Sequence, residues 1–176
     1  MDKKTLSIII TTILVASSLV VGLIFLLSPR EIVPGEHFIS VWDTTKISPG
    51  SSDHDQVRLP LESSGTYAFV VNWGDGTNDT IRRWNQEEVT HTYASPGIYT
   101  IKITGSIIGW AFNDKGDKLK LLEIRQWGDL RLGNWGGYFS GCSNLEISAT
   151  DVLNLKGTTS LSRAFEDCDS IEEIPS

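Results

Sequence analysis

Two stretches in the last third of this 176-residue chain repeat at a fixed offset. Leu122-Glu123-Ile124 returns as Leu145-Glu146-Ile147, 23 residues on, and Leu130-Arg131-Leu132 returns as Leu153-Asn154-Leu155 at the same offset. Phe139-Ser140-Gly141-Cys142-Ser143-Asn144-Leu145 returns as Phe165-Glu166-Asp167-Cys168-Asp169-Ser170-Ile171, at an offset of 26. A unit this short cannot bury an apolar face by itself, whereas stacked copies can. The repeat therefore predicts a solenoid-like stack with one Leu-x-Leu strand per unit. The step from 23 to 26 leaves about three extra residues between Gly157 and Phe165, to be absorbed by a loop or a helical turn.

Ahead of the repeats the pattern is that of short strands. Phe38-Ile39-Ser40-Val41-Trp42 reads as a first strand, and Val57-Arg58-Leu59-Pro60-Leu61 as an edge strand because Pro60 cannot donate to a ladder. Between them, the run from Ser48 to Asp55 has a loop composition. In Tyr67-Ala68-Phe69-Val70-Val71-Asn72-Trp73 the large apolar residues fall on one face with period two. Gly74-Asp75-Gly76-Thr77 supplies turn residues for a hairpin, with Thr80-Ile81-Arg82-Arg83-Trp84 as its return strand. Tyr99, Ile101 and Ile103 alternate with polar residues in a long last strand that starts at the Pro96-Gly97 turn. Strands at this spacing favour a β-sandwich.

The second half of that region resembles the PKD domain, a small Ig-like β-sandwich of secreted and cell-surface proteins. The resemblance rests on the strand ending at Trp73, the Gly74-Asp75-Gly76 turn, His91-Thr92-Tyr93, the turn at Pro96-Gly97 and a final strand containing Tyr99. It covers about residues 36–108, with the domain drawn at 38–108, and implies a spacer or binding module. Within the segment drawn at 109–176, residues 119–176 resemble the BspA-type leucine-rich repeats of surface proteins. Here the shared phrase is Phe139, Cys142 and Leu145, then Phe165, Cys168 and Ile171, about two units. Gly133-Asn134-Trp135-Gly136-Gly137 departs from that family's usual middle and puts a helix there in doubt. The chain stops at Ile174-Pro175-Ser176, within what the register makes a third strand, so a truncated array is expected; the alternative is that the PKD-like domain caps the stack and its last edge is left open.

Cys142 and Cys168 hold equivalent places in successive units. Stacked strands lie about 4.8 Å apart, within the roughly 4.4–6.8 Å that a disulfide spans between Cα atoms. A bridge and two buried thiols acting as small hydrophobes both fit, and the repeat logic favours the thiols.

Residues 5–29 carry no charge. Residues 6–27 match the roughly 20 apolar helical residues that cross a bilayer. Lys3 and Lys4 before them favour a cytoplasmic N-terminus. A single-pass plasma-membrane anchor is expected at residues 1–29, followed by a linker at 30–37 and extracellular domains. The alternative is a cleaved signal peptide, although the apolar run is long for one. The net charge is −7, and the part beyond the anchor, with 21 acidic and 13 basic side chains, carries −8. Such a surface disfavours nucleic acid as a partner.

No pattern for catalysis stands out. His37, His54 and His91 lack partners at zinc spacing, and no nucleophile elbow or phosphate loop occurs. Asp75 and the loop residues Asp53, Asp55, Asp79, Asp114 and Asp117 read as turn formers rather than as a calcium site. No metal or cofactor is expected, and His91 is expected to make a structural hydrogen bond. Six Trp residues leave room either for packing or for an exposed aromatic platform. Asn78-Asp79-Thr80 is a glycosylation sequon. The expected fold is mainly β: an N-terminal transmembrane helix, an Ig-like sandwich and a short leucine-rich-repeat-like solenoid. The expected role is non-catalytic adhesion, or recognition of an extracellular protein or glycan that the residues do not name. A self-associating structural component of the cell envelope is the alternative, and the sequence sets no oligomeric state.

Overall fold

The computed structural model describes residues 37–172. The expected membrane anchor, most of the linker and the last residues of the repeats lie outside that range. Among the described residues no helix is long and apolar enough to cross a membrane.

The fold is mainly β. Its strands are β1 (His37–Asp43), β2 (Gln56–Arg58), β3 (Leu61–Asn72), β4 (Asn78–Ile81), β5 (Thr90–Thr92), β6 (Ile98–Trp110), β7 (Leu121–Gln126), β8 (Leu130–Arg131) and β9 (Glu146–Ile147). Among the described residues the helical content is a single 3-10 turn, Glu87–Val89. Seven strands form one mixed sheet in the order β4-β3-β6-β1-β7-β9, with β8 beside β6. β2 and β5 form a separate antiparallel pair.

Period-two patterning explains the antiparallel half. Tyr67, Phe69, Val71 and Trp73 are all buried, and between them Ala68, Val70 and Asn72 face outward. Ile101, Ile103 and Ile107 of β6 join the same core, with Phe38 and Trp42 of β1. The small β2–β5 pair contributes Val57, and its flanks add Leu59, Val89 and Tyr93.

The repeat offset of 23 reappears as strand register. In the parallel pair β7–β9, Glu123 lies opposite Glu146 and Ile124 opposite Ile147. In the parallel pair β6–β8, Ile107 lies opposite Leu130 and Ile108 opposite Arg131. The second pair carries the same offset one unit earlier than the sequence pattern reveals. The long last strand of the antiparallel half is thus the first row of the stack.

β1 is inserted between the first two rows. It pairs antiparallel with β6 on one side and β7 on the other, and its pairing with β6 starts at His37 opposite Thr104. Beyond that point β8 takes the place at β6 that β1 leaves free. The chain steps sideways at Gly128, where φ is +51° and a Cβ would lie 2.2 Å from the His37 carbonyl oxygen. Only glycine clears the start of β1 there.

Several expectations change. The boundary drawn between residues 108 and 109 falls inside β6, because that strand serves both halves. The linker drawn to residue 37 is one residue too long, since His37 already pairs with Thr104. The edge strand expected over Val57–Leu61 breaks after Arg58. There Pro60 offers no amide, and its carbonyl accepts instead from Ala111, at 2.9 Å. The return strand ends at Ile81 rather than Trp84, because Gln86 takes the Arg82 and Arg83 amides on its side-chain oxygen at 2.7 and 3.1 Å. The three extra residues before Phe165 lie in irregular chain and turn.

Candidate functional site

The residues that carry the sequence resemblance to the PKD domain converge on one cluster at the end of the antiparallel half. The Asp75 carboxylate accepts from the Thr77 amide at 2.9 Å and the Thr77 hydroxyl at 2.6 Å, closing the turn. Its other oxygen lies 2.8 Å from His91 Nε2. The His91 ring stacks on Trp73, with centroids 4.7 Å apart and planes 7° apart. Tyr93 meets the His91 ring edge-on, and its hydroxyl donates to the Trp73 carbonyl at 3.0 Å. Tyr93 stacks in turn on Tyr99 at 3.7 Å. Gly74 passes so close to β6 that a Cβ would lie 2.5 Å from the Thr100 carbonyl oxygen. The Gly97 amide and carbonyl both bond Thr44, which ties the turn at Pro96 to the end of β1. Partial desolvation pushes the Asp75 carboxyl up, but Thr77 and His91 outweigh it and hold the pKa at about 2. Every polar atom named in this cluster faces another protein group, so its chemistry is that of a turn lock. Gly76 and Pro96 are exposed, as is Asn78, which begins β4 at the glycosylation sequon.

The repeat residues form a second cluster. Phe139 and Phe165 stack with centroids 5.2 Å apart and planes 10° apart. Phe112 and Trp127 also pack on Phe139. Cys142 and Cys168 are both free and buried, and Leu145 is buried beside them. The Cys168 thiol donates to the Phe139 carbonyl at 3.1 Å. Burial pushes the Cys168 thiol up to about 11 and the Cys142 thiol well above its ordinary value, so neither is an activated nucleophile. Ile171 is partly buried against the same core.

The loop aspartates do not converge. Asp79 accepts from the Trp73 indole at 2.8 Å, and Asp114 pairs with Lys118. Asp117 accepts from the Ser52 amide, the Ser52 hydroxyl and the Arg58 amide. Lys120, fully buried, donates to three carbonyls and a hydroxyl of residues 52–56 at 2.8–2.9 Å. It lies 3.5 Å from Asp117. An ammonium and a carboxylate therefore organise the loop that sequence reasoning marked only by its composition.

One open cleft borders the second cluster at Phe112. It encloses about 350 Å³ and is lined by Arg58, Leu61, Trp84, Asn113, Lys115 and Trp135, among others. Trp84 and Trp135 are the two exposed tryptophans among the described residues, at 39% and 58%. Each is held by its surroundings. Trp84 rides the turn clamped by Gln86, and the Trp135 indole donates to Ser64 Oγ at 2.9 Å. Ser64 and Glu62 sit in an irregularity of β3, where the register against β6 jumps between Leu61 and Thr66. Neither tryptophan was assigned to a shared site by the sequence pattern. Their only signal was the count of six in a short chain.

Compared with protein-family models, with curated proteins and with solved structures, the chain matches none of them.

Proposed function

We propose that this is a membrane-anchored, non-catalytic protein of the cell surface that recognises an extracellular protein or glycan. In this proposal residues 6–27 cross the plasma membrane once with the N-terminus inside. A PKD-like sandwich then serves as stalk, and BspA-type repeats follow it. The observation that carries it is the shared offset of 23 in β6–β8 and β7–β9. The repeats continue the sheet of the stalk, so a force or a partner at the stack is borne by a continuous hydrogen-bonded sheet. Rows of this kind add surface without adding chemistry, and the motif residues of both halves are used up in packing and turn-locking.

The exposed Val152, Leu155 and Leu161 on the later rows favour a second reading, in which the chain associates with copies of itself in the envelope. Full-length protein in detergent micelles, passed over immobilised extracellular matrix and intact cells, separates the two. Retention supports recognition. Ordered assembly with nothing retained supports the envelope role.

A further inference from the structure

We propose that the cleft between Trp84 and Trp135 binds acidic oligosaccharides, those whose sugar rings carry carboxylates. The inference rests on the recognition reading and names its ligand and its site. A sugar ring has an apolar face of C–H groups and a polar rim of hydroxyls. Exposed indoles suit the face, because each presents a flat apolar surface with little rotamer freedom to lose. Two exposed tryptophans lining one cleft are a costly arrangement for an unliganded surface, since the four other tryptophans of the chain are buried. Both turns that carry the indoles are already fixed by side-chain hydrogen bonds, which lowers the ordering cost of binding. A volume of about 350 Å³ falls within the range of small-molecule pockets.

The charge of the lining selects the acidic class. Arg58 and Lys115 both line the cleft, and among the described residues neither takes part in an ion pair. The one acidic residue of the lining, Asp117, is occupied by Ser52, the Arg58 amide and Lys120. The cleft thus offers two uncommitted cations on a chain of net charge −7. A guanidinium binds a carboxylate through paired hydrogen bonds, and Asn113 adds an amide for hydroxyls.

The test uses the full-length chain in a polyoxyethylene detergent, titrated calorimetrically with three probes: tetragalacturonate, a tetrameric alginate and a hyaluronan tetrasaccharide. At least one is expected to bind, with Trp84→Ala and Trp135→Ala each weakening it tenfold or more. The double variant Arg58→Gln/Lys115→Gln is expected to weaken it at least tenfold and to flatten its salt dependence. Arg125→Gln, away from the cleft on β7, serves as a control and leaves binding unchanged. Melting temperatures verify that each variant is folded. Failure of all three probes, or equal affinity in the tryptophan variants, overturns the proposal. If the tryptophan variants are still retained on immobilised matrix, the cleft is wrong while recognition stands. If the unaltered chain binds neither probe nor matrix, both fail.

Discussion

The Lys120 ammonium lies 3.5 Å from the Asp117 carboxylate, and neither side chain has any exposed surface. The pair joins the loop at Ser52 to the chain just before β7, 68 residues away. Burial pulls the lysine below its ordinary pKa, and the Asp117 charge pulls it back up. Removing one partner of such a pair strands the other charge in the interior, at a cost of about 3–5 kcal/mol. Lys120→Met is therefore expected to destabilise the fold by that amount in urea titrations. A loss below about 1 kcal/mol would mean that water reaches the site and screens it.

Phe139 makes the stack depend on its neighbours. It touches Phe112, Trp127 and Phe165, which come from successive rows. Truncation of a fully buried phenylalanine costs about 3–5 kcal/mol, so Phe139→Ala is expected to lose that much. Phe165→Ala, at the partly buried end of the stack, should cost less. Equal losses at both positions would show that the rows do not share one core.

The fold was legible wherever neighbours in sequence decide the outcome. Tyr67, Phe69, Val71 and Trp73 announce their strand because period two places all four on one face. The offset of 23 announces the register of β9 on β7 because identical units stack in identical ways. What escaped detection depends on distant partners. Nothing near Gly128 reveals that β1, some 90 residues earlier, begins against it. The apolar run Ile107-Ile108 shares no motif with Leu130-Arg131, so the first row of the stack passed as the end of a sandwich. Lys120 looks like one more residue of a charged run until its four acceptors are in place. The cleft is illegible for the same reason: Arg58, Trp84, Lys115 and Trp135 meet only in three dimensions.

Asp75 gives the turn lock a pH signature. Its carboxyl is held at about 2 in the folded chain, against about 3.9 in an unfolded one. A depressed carboxyl contributes stability that is present above pH 4 and is lost as pH falls through about 2. The residue faces solvent, so the contribution at neutral pH is discounted to about 1 kcal/mol. Asp75→Ala is expected to cost that much at pH 7 and to make acid unfolding less steep between pH 4 and 2. If the variant's acid limb overlays that of the unaltered protein, the Thr77 and His91 contacts are not populated in solution.

Glu62 carries the opposite sign. It is 4% exposed, and its Oε1 has no hydrogen-bond partner among the described residues. Burial pushes its pKa up to about 7, although the Trp135 amide draws it partly back down. From about pH 4.5 to 7 the folded chain keeps a proton that the unfolded chain has released, so stability falls as pH rises through that window. A shift of that size is worth at most about 3 kcal/mol, or roughly 6–12 °C in melting temperature for a chain of this length. Glu62→Gln keeps the shape and removes the charge. It is expected to match the unaltered protein near pH 5, to melt higher at pH 8, and to flatten the slope between them. The same irregularity of β3 presents Ser64 to the Trp135 indole. The Trp135 amide bonds the charged carboxylate more strongly than the neutral acid, so ionising Glu62 should shift the setting of Trp135, visible as a change in tryptophan fluorescence between pH 6 and 8 that Glu62→Gln abolishes. A fluorescence profile that is unchanged in the variant would disconnect the buried carboxyl from the cleft.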